Sequence, residues 1–243
     1  MFNRSQNISE IDNLFLRPFR VLINALLCAT ALLLAPVSAS AYDTDSQAWG
    51  LFTFNARYKS GLRVYAEVQP RQGDNFSRFS QLLVRPVVGY QVTRKMSLWI
   101  GYAWTPSFLP EYNNEHRAFQ QVLFEDRYQR VGLTNRTRLE ERSIEGAGGT
   151  SLRLRHQIRA SLPLDSKGKW AAVSYDELFY NLNSVSSGPQ AGFDQNRLYF
   201  AGAYNVNRHT RVELGYLASF INRPRNLPDR RIDALVLTVN YNL

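Results

Sequence analysis

From residue 49 to the C-terminus, apolar and polar side chains alternate with a period of two, and convincing helical periodicity is almost absent. The clearest stretch is 151–162. There Leu152, Leu154, His156, Ile158, Ala160 and Leu162 interleave with Ser151, Arg153, Arg155, Gln157, Arg159 and Ser161. A strand places the first set in an apolar medium and the second among charges, whereas a helix would scatter the arginines all round. Similar two-faced segments occur at 62–69, 81–91, 97–104, 133–142, 197–206, 210–220 and 233–243, with less regular ones at 49–57, 115–127 and 170–180. Their lengths approach or reach the 9–11 residues, roughly, that a tilted strand needs to cross a bilayer.

The connections between these segments differ in size. Tight polar turns near 59–61, 93–95, 165–169 and 207–209 alternate with longer Pro-, Gly- and Asn-rich stretches at 71–77, 106–114, 183–194 and 222–230. Outer-membrane barrels have short periplasmic turns and longer external loops. No window after residue 41 approaches 18 continuous apolar residues, which excludes helical spans there. Strands can cross lipid only as a closed barrel, because an unpaired sheet edge is too costly in hydrocarbon. Eleven segments alternate, but bacterial single-chain barrels have even strand numbers. The expected fold is therefore an all-β, closed antiparallel transmembrane barrel of about twelve strands, or ten if one segment lies outside the wall.

The first 41 residues read as an address. Arg17 and Arg20 precede the apolar run 21–36, which ends in the triplet Ala39-Ser40-Ala41, the order of a secretory signal peptide cleaved before Tyr42. The expected organisation is a signal peptide at 1–41 and one barrel domain at 42–243, exported to the outer membrane of a Gram-negative cell. Cys28, the only cysteine, lies in the signal, so disulfides, thiolate chemistry and a lipid anchor at the new N-terminus are not expected. Of 29 Lys+Arg and 20 Asp+Glu, the segment 42–243 keeps 26 and 18, a balance of +8. On a soluble protein this would suggest nucleic acid. Here the four lysines fall in turns and most arginines fall inside strands, which suggests enclosed arginines and hydrated lysines.

The run Arg136-Thr137-Arg138-Leu139-Glu140-Glu141-Arg142, with His116-Arg117, Gln120-Gln121 and Trp49 soon after the signal, resembles the bacterial family catalogued as domain of unknown function 2490. The resemblance covers the whole segment after the signal and implies an exported outer-membrane barrel. It implies no catalytic residue.

Arg136, Arg138, Glu140 and Arg142 share one strand face, and Arg153, Arg155 and Arg159 share the matching face of the next strand. Like charges opposite each other are unfavourable, so the register should set Glu140 by Arg153 or Arg155. One glutamate cannot neutralise this row. Glu67, Glu125, Glu177 and Glu213 are the expected suppliers, with Arg197 and Arg211 completing the interior charge network. Two readings stay open: an interior lattice that cross-braces and plugs a narrow barrel, or a basic, porin-like lumen that draws in small anionic solutes. The expected surroundings are outer-membrane lipid and lipopolysaccharide, and the barrel-insertion machinery during assembly.

Catalysis finds little footing. A lipid-modifying hydrolase needs a nucleophile, a base and an orienting group within hydrogen-bond reach. His116 lies beside Asn114 and Glu115 with no serine motif near it. His156 belongs to the apolar row, and His209 sits in a turn. No nucleotide-binding glycine motif occurs, and no histidine pair has zinc-ligand spacing. Neither cofactor nor metal is expected.

Overall fold

A computed structural model describes residues 42–223 and 227–243. The expected signal peptide at 1–41 lies outside the described residues. The described residues form eleven strands: β1 (Asp43–Arg57), β2 (Leu62–Gly73), β3 (Arg78–Gln91), β4 (Met96–Trp104), β5 (Glu115–Tyr128), β6 (Val131–Ile144), β7 (Thr150–Pro163), β8 (Trp170–Asn181), β9 (Gly192–Asn205), β10 (Thr210–Ile221) and β11 (Arg230–Asn242). Each pairs with its sequence neighbours, and β1 closes on β11 to complete a barrel.

The count corrects the expectation of twelve or ten strands, and the closure corrects the expectation of an all-antiparallel wall. Each hairpin reverses the chain, so an eleventh strand must run in the same direction as the first. The seam is accordingly parallel, from Asp43↔Arg230 to Asn55↔Asn242. Polar side chains reinforce it in register: Thr53 Oγ1 donates to Asn240 Oδ1 at 2.8 Å, and Asn55 Nδ2 donates to Asn242 Oδ1 at 3.2 Å. The two ends of the barrel chain consequently lie at opposite mouths.

One mouth carries the connections 58–61, 92–95, 129–130, 164–169 and 206–209; the other carries 74–77, 105–114, 145–149, 182–191, 222–223 and 227–229. The expected long loop at 71–77 is instead a tight turn, because β2 continues to Gly73. Asp74, Asn75 and Phe76 then turn the chain at positive φ, with the Phe76 amide bonded to the Ser46 carbonyl. Residues 105–114 fold back along β3, where Phe108 N donates to Ser80 O at 2.8 Å. They flank the upper part of β3 beyond the end of β4. Residues 145–149 and 182–191 dock on each other through buried Ala147 and Val185.

Strand alternation separates two environments. The outer rows carry uncovered apolar side chains, including Phe52, Ile100, Ile158, Leu178, Phe200, Leu214 and Leu235, each about half exposed. The inner rows are mixed. Trp49, Ala171, Val173, Tyr199, Ala203, Leu217, Ala234 and Val236 form one apolar cluster, and Val87, Trp99, Ala103 and Phe119 form a second. Gly101 is where it must be, since a Cβ there would collide with the Phe119 ring.

Candidate functional site: the charged interior

Between and beside the apolar clusters, the interior is a lattice of arginines and glutamates. Glu140 pairs directly with Arg153 across the β6–β7 ladder, within the register that charge alternation favours. Its Oε2 accepts from Arg153 Nε at 3.0 Å and Nη2 at 2.6 Å, while Oε1 accepts from Arg155 Nη1 at 2.6 Å; Arg138 lies at 3.5 Å. Glu177 accepts from Arg136 and from Arg155, each at 2.7 Å. Glu213 accepts from Arg159 at 2.6 Å and from Arg211 at 3.0 Å. Arg142 reaches Glu115 at 2.5 Å. The structure therefore brings ten of the eleven network residues named from sequence into ion pairs. Arg197 points inward too, but its partners are an amide and aromatic rings.

Of the suggested carboxylate suppliers, Glu67 serves Arg85 at 2.9 Å and accepts from the Tyr65 hydroxyl at 2.6 Å. Glu125 serves Arg57 and Arg63 near the short-turn mouth, away from the ladder. In the sequence Glu115 stands beside His116. Adjacent strand residues face opposite ways, so Glu115 is instead buried, and Arg117 and Arg142 share it.

Sequence reasoning also missed the aromatic platforms. Phe119 and Phe179 are fully buried. Arg138 Cζ lies 4.0 Å from the Phe119 ring centre, and Arg155, Arg197 and Arg153 lie 4.4, 4.7 and 5.2 Å from that of Phe179. A desolvated guanidinium over an aromatic face gains attraction where water cannot reach it. The available signal was an aromatic in an otherwise polar row, at 115, 117, 119 and 121, which made that strand look irregular.

The lattice does not fill the interior. A chamber of about 450 Å³ remains, lined by nine arginines and four glutamates together with Trp49, Thr53, Tyr175, Tyr199, Thr238 and Asn240. Its lining comes from β1–β3 and β5–β11, and the inner rows of β9, β10 and β11 carry small residues such as Ala201, Gly215, Ala234 and Thr238. A second cavity of about 700 Å³ opens at the mouth opposite the short turns, among Asp43, Asp45, Arg78, Arg223 and Arg230. The lysines of the turns, Lys59, Lys95, Lys167 and Lys169, are exposed at the other mouth.

The histidines lie outside this interior. His116 and His156 face outward: His116 Nδ1 is bonded to the Tyr102 hydroxyl, and His156 Nδ1 lies 3.0 Å from Thr137 Oγ1. His209 binds the Asn242 carbonyl at 2.7 Å in its turn. The register does bring Ser143 opposite His116, a proximity invisible in the linear sequence. No group of His, Cys, Asp and Glu that could hold a metal ion occurs among the described residues.

These features define a closed β-barrel with an apolar outer surface and an arginine-rich interior. The chain belongs to the family described as "Protein of unknown function (DUF2490)", which matches residues 46–230. It is 32% identical over 197 residues to an uncharacterized protein of Methylorubrum extorquens, a match covering 79% of this chain and 86% of that one. A comparison with the solved structure of outer-membrane expressed OmpT of Vibrio cholerae gives a TM-score of 0.39 at 12% identity. That match covers 67% of this chain and 56% of the other.

Proposed function

We propose that this chain is an integral outer-membrane barrel that passes small anions along a narrow, positively lined chamber. The observation that carries the reading is the inverted wall: large apolar side chains uncovered on the outside, charges enclosed within. Water would not tolerate that exterior, since contiguous apolar surface well beyond a few hundred Å² marks a lipid or protein contact. Acyl chains of outer-membrane lipid and lipopolysaccharide are the natural covering. Aromatic pairs near both mouths fit interfacial girdles: Trp170 with Tyr204 and Phe54 with Tyr241 at one, Phe79 with Phe108 at the other. Inside, nine arginines against four glutamates give the chamber a positive potential, which concentrates anions and repels cations.

The competing reading is a sealed, structural barrel, and the burial of Glu140 and Arg138, which lie outside the chamber lining, favours it for that part of the interior. Planar-bilayer recording separates the two. Small anion-selective conductance that loses selectivity at high salt, as charges are screened, supports the conduit. Silent bilayers from protein with heat-modifiable mobility would leave only the sealed barrel, and recovery in the soluble periplasmic fraction would overturn both.

A further inference from the structure

Five residues border both the mouth cavity and the inner chamber: Trp49, Arg71, Gln81, Gln195 and Arg197. They form a throat between the two cavities. Two of the five are arginines, and neither has a carboxylate of a described residue within ion-pairing distance. Elsewhere in the interior, glutamates are close at hand.

The reason lies in how neighbouring acids are already engaged. Glu177 sits directly opposite Arg197 in the β8–β9 register, but Arg136 and Arg155 occupy its carboxylate. Glu67, on the same strand face as Arg71, is held by Arg85 and Tyr65. Arg71 therefore relies on neutral acceptors, donating from Nη1 to Gln81 Oε1 at 2.8 Å and from Nη2 to Gln69 Oε1 at 2.7 Å; its Nε has no partner. Arg197 Nε finds the Gln195 side-chain oxygen at 2.8 Å when that amide is oriented to suit its neighbours. Amide oxygens orient a guanidinium without cancelling its charge.

Both guanidinium groups also rest on one indole. Arg71 Cζ lies 3.8 Å and Arg197 Cζ 5.4 Å from the Trp49 ring centre. A polar relay fixes that ring: Trp49 Nε1 donates to Gln47 Oε1 at 2.6 Å, Gln47 Nε2 donates to Asp45 Oδ2 at 2.7 Å, and Arg230 reaches the same Asp45 oxygen at 2.9 Å. Of the three acids lining the mouth cavity, Asp45 is held by Arg230, Asp43 is held by Arg223 at 3.0 Å, and Asp74 accepts from the Ser77 hydroxyl at 3.1 Å. Two like charges held on a rigid aromatic support, with donors to spare and no carboxylate of a described residue in ion-pairing reach, make a pre-organised oxyanion receptor. Arginine's planar fork suits carboxylate and phosphate geometry better than a spherical halide.

We infer that the Arg71–Trp49–Arg197 throat is a binding site for a small oxyanion, a carboxylate or a phosphate group, entering from the mouth opposite the short turns. The inference rests on the conduit reading and adds a specific stopping point to it.

The test is calorimetric titration of the folded full-length barrel in detergent with inorganic phosphate and, separately, acetate, each exchanged against sodium chloride at fixed ionic strength. Saturable binding of at least one is expected. Arg71→Gln and Arg197→Gln should each weaken it about tenfold, near the worth of one charge-assisted hydrogen bond, and the double variant should abolish it. Arg130→Gln, at the other mouth, should bind as wild type. Arg71→Lys keeps the charge but loses the fork, and should fold and bind more weakly if the glutamine variants fold poorly. Which probe binds identifies the group, carboxylate or phosphate. Absence of saturable binding of either anion, or equal binding by the double variant, overturns the site. Anion-selective conductance unchanged in that variant would leave the conduit standing without it, and binding by a chain silent in bilayers would do the reverse.

Discussion

Glu140→Gln tests whether the interior lattice holds the barrel together. The glutamate is 1% exposed and accepts three hydrogen bonds of 2.6–3.0 Å from Arg153 and Arg155. Glutamine preserves the volume and one acceptor oxygen but removes the charge and turns a donor toward a guanidinium. Removing one partner of a buried ion pair costs about 3–5 kcal/mol. Here Arg155 keeps Glu177 at 2.7 Å, Arg153 keeps Asp194 at 3.0 Å and Arg138 keeps Gln121 at 2.7 Å, which moderates the loss. The expectation is the lower end, about 3 kcal/mol. With a urea slope of about 1–3 kcal/mol per M, the unfolding midpoint should fall by roughly 1 M or more. Reversible urea unfolding in vesicles, followed by heat-modifiable gel mobility, reads this directly. Glu140→Gln/Arg155→Gln should recover about 1–2 kcal/mol relative to additive behaviour, because residues in one network couple. Lys95→Ala, at the exposed Lys95–Asp126 pair, should leave the midpoint unchanged. A Glu140→Gln midpoint coincident with wild type would refute the lattice as a source of stability.

Gly101→Ala should destabilise by about 1–3 kcal/mol by overpacking against Phe119, whereas Gly202→Ala, with open space around its Cβ, should be silent in the same urea titration. Single cysteines in a Cys28→Ser background report orientation: Ser187→Cys should react with an impermeant maleimide on intact cells and Lys167→Cys only after permeabilisation, and the reverse pattern would overturn the assignment of mouths. Purified protein should not hydrolyse lipid A or phospholipid. Turnover lost in His116→Ala and in Ser143→Ala would replace the conduit with an enzyme on the outer face of the barrel.

The wall was legible in the sequence because a strand with an apolar outer face and a charged inner face writes its period into nearly every residue. The ladder 151–162 and the row Arg136, Arg138, Glu140, Arg142 show this most plainly. Strand ends were less so. β1 begins at Asp43 and β9 at Gly192, earlier than alternation suggested, because near a mouth both faces are polar and the period fades. The strand count failed for another reason: an even number follows from keeping both termini on one side, a habit of a class of proteins, while a closed sheet requires only that its edges pair. The throat was illegible altogether. Trp49, Arg71 and Arg197 lie on three strands, and only closure through the parallel seam brings the first beside the last.

The stoichiometry of the lattice bears on whether bracing or conduction shaped it. Interior glutamates are shared: Glu115 by Arg117 and Arg142, Glu177 by Arg136 and Arg155, Glu213 by Arg159 and Arg211. Cross-bracing alone would be served by equal numbers of the two charges, or by apolar side chains, since a buried ion pair seldom outperforms well-packed hydrophobes. An excess of arginine raises the repulsion the fold must overcome and contributes nothing further to bracing. Sharing lets each glutamate hold two guanidinium groups in place while cancelling one charge, so rigidity and a net positive interior arise from the same contacts. Such an interior in a low-dielectric wall recruits counter-anions from solution. On this argument the arginines held by glutamates fix the shape of the chamber, and the two at its throat, left without a carboxylate of a described residue, are where the proposed anion would take the place of the missing acid.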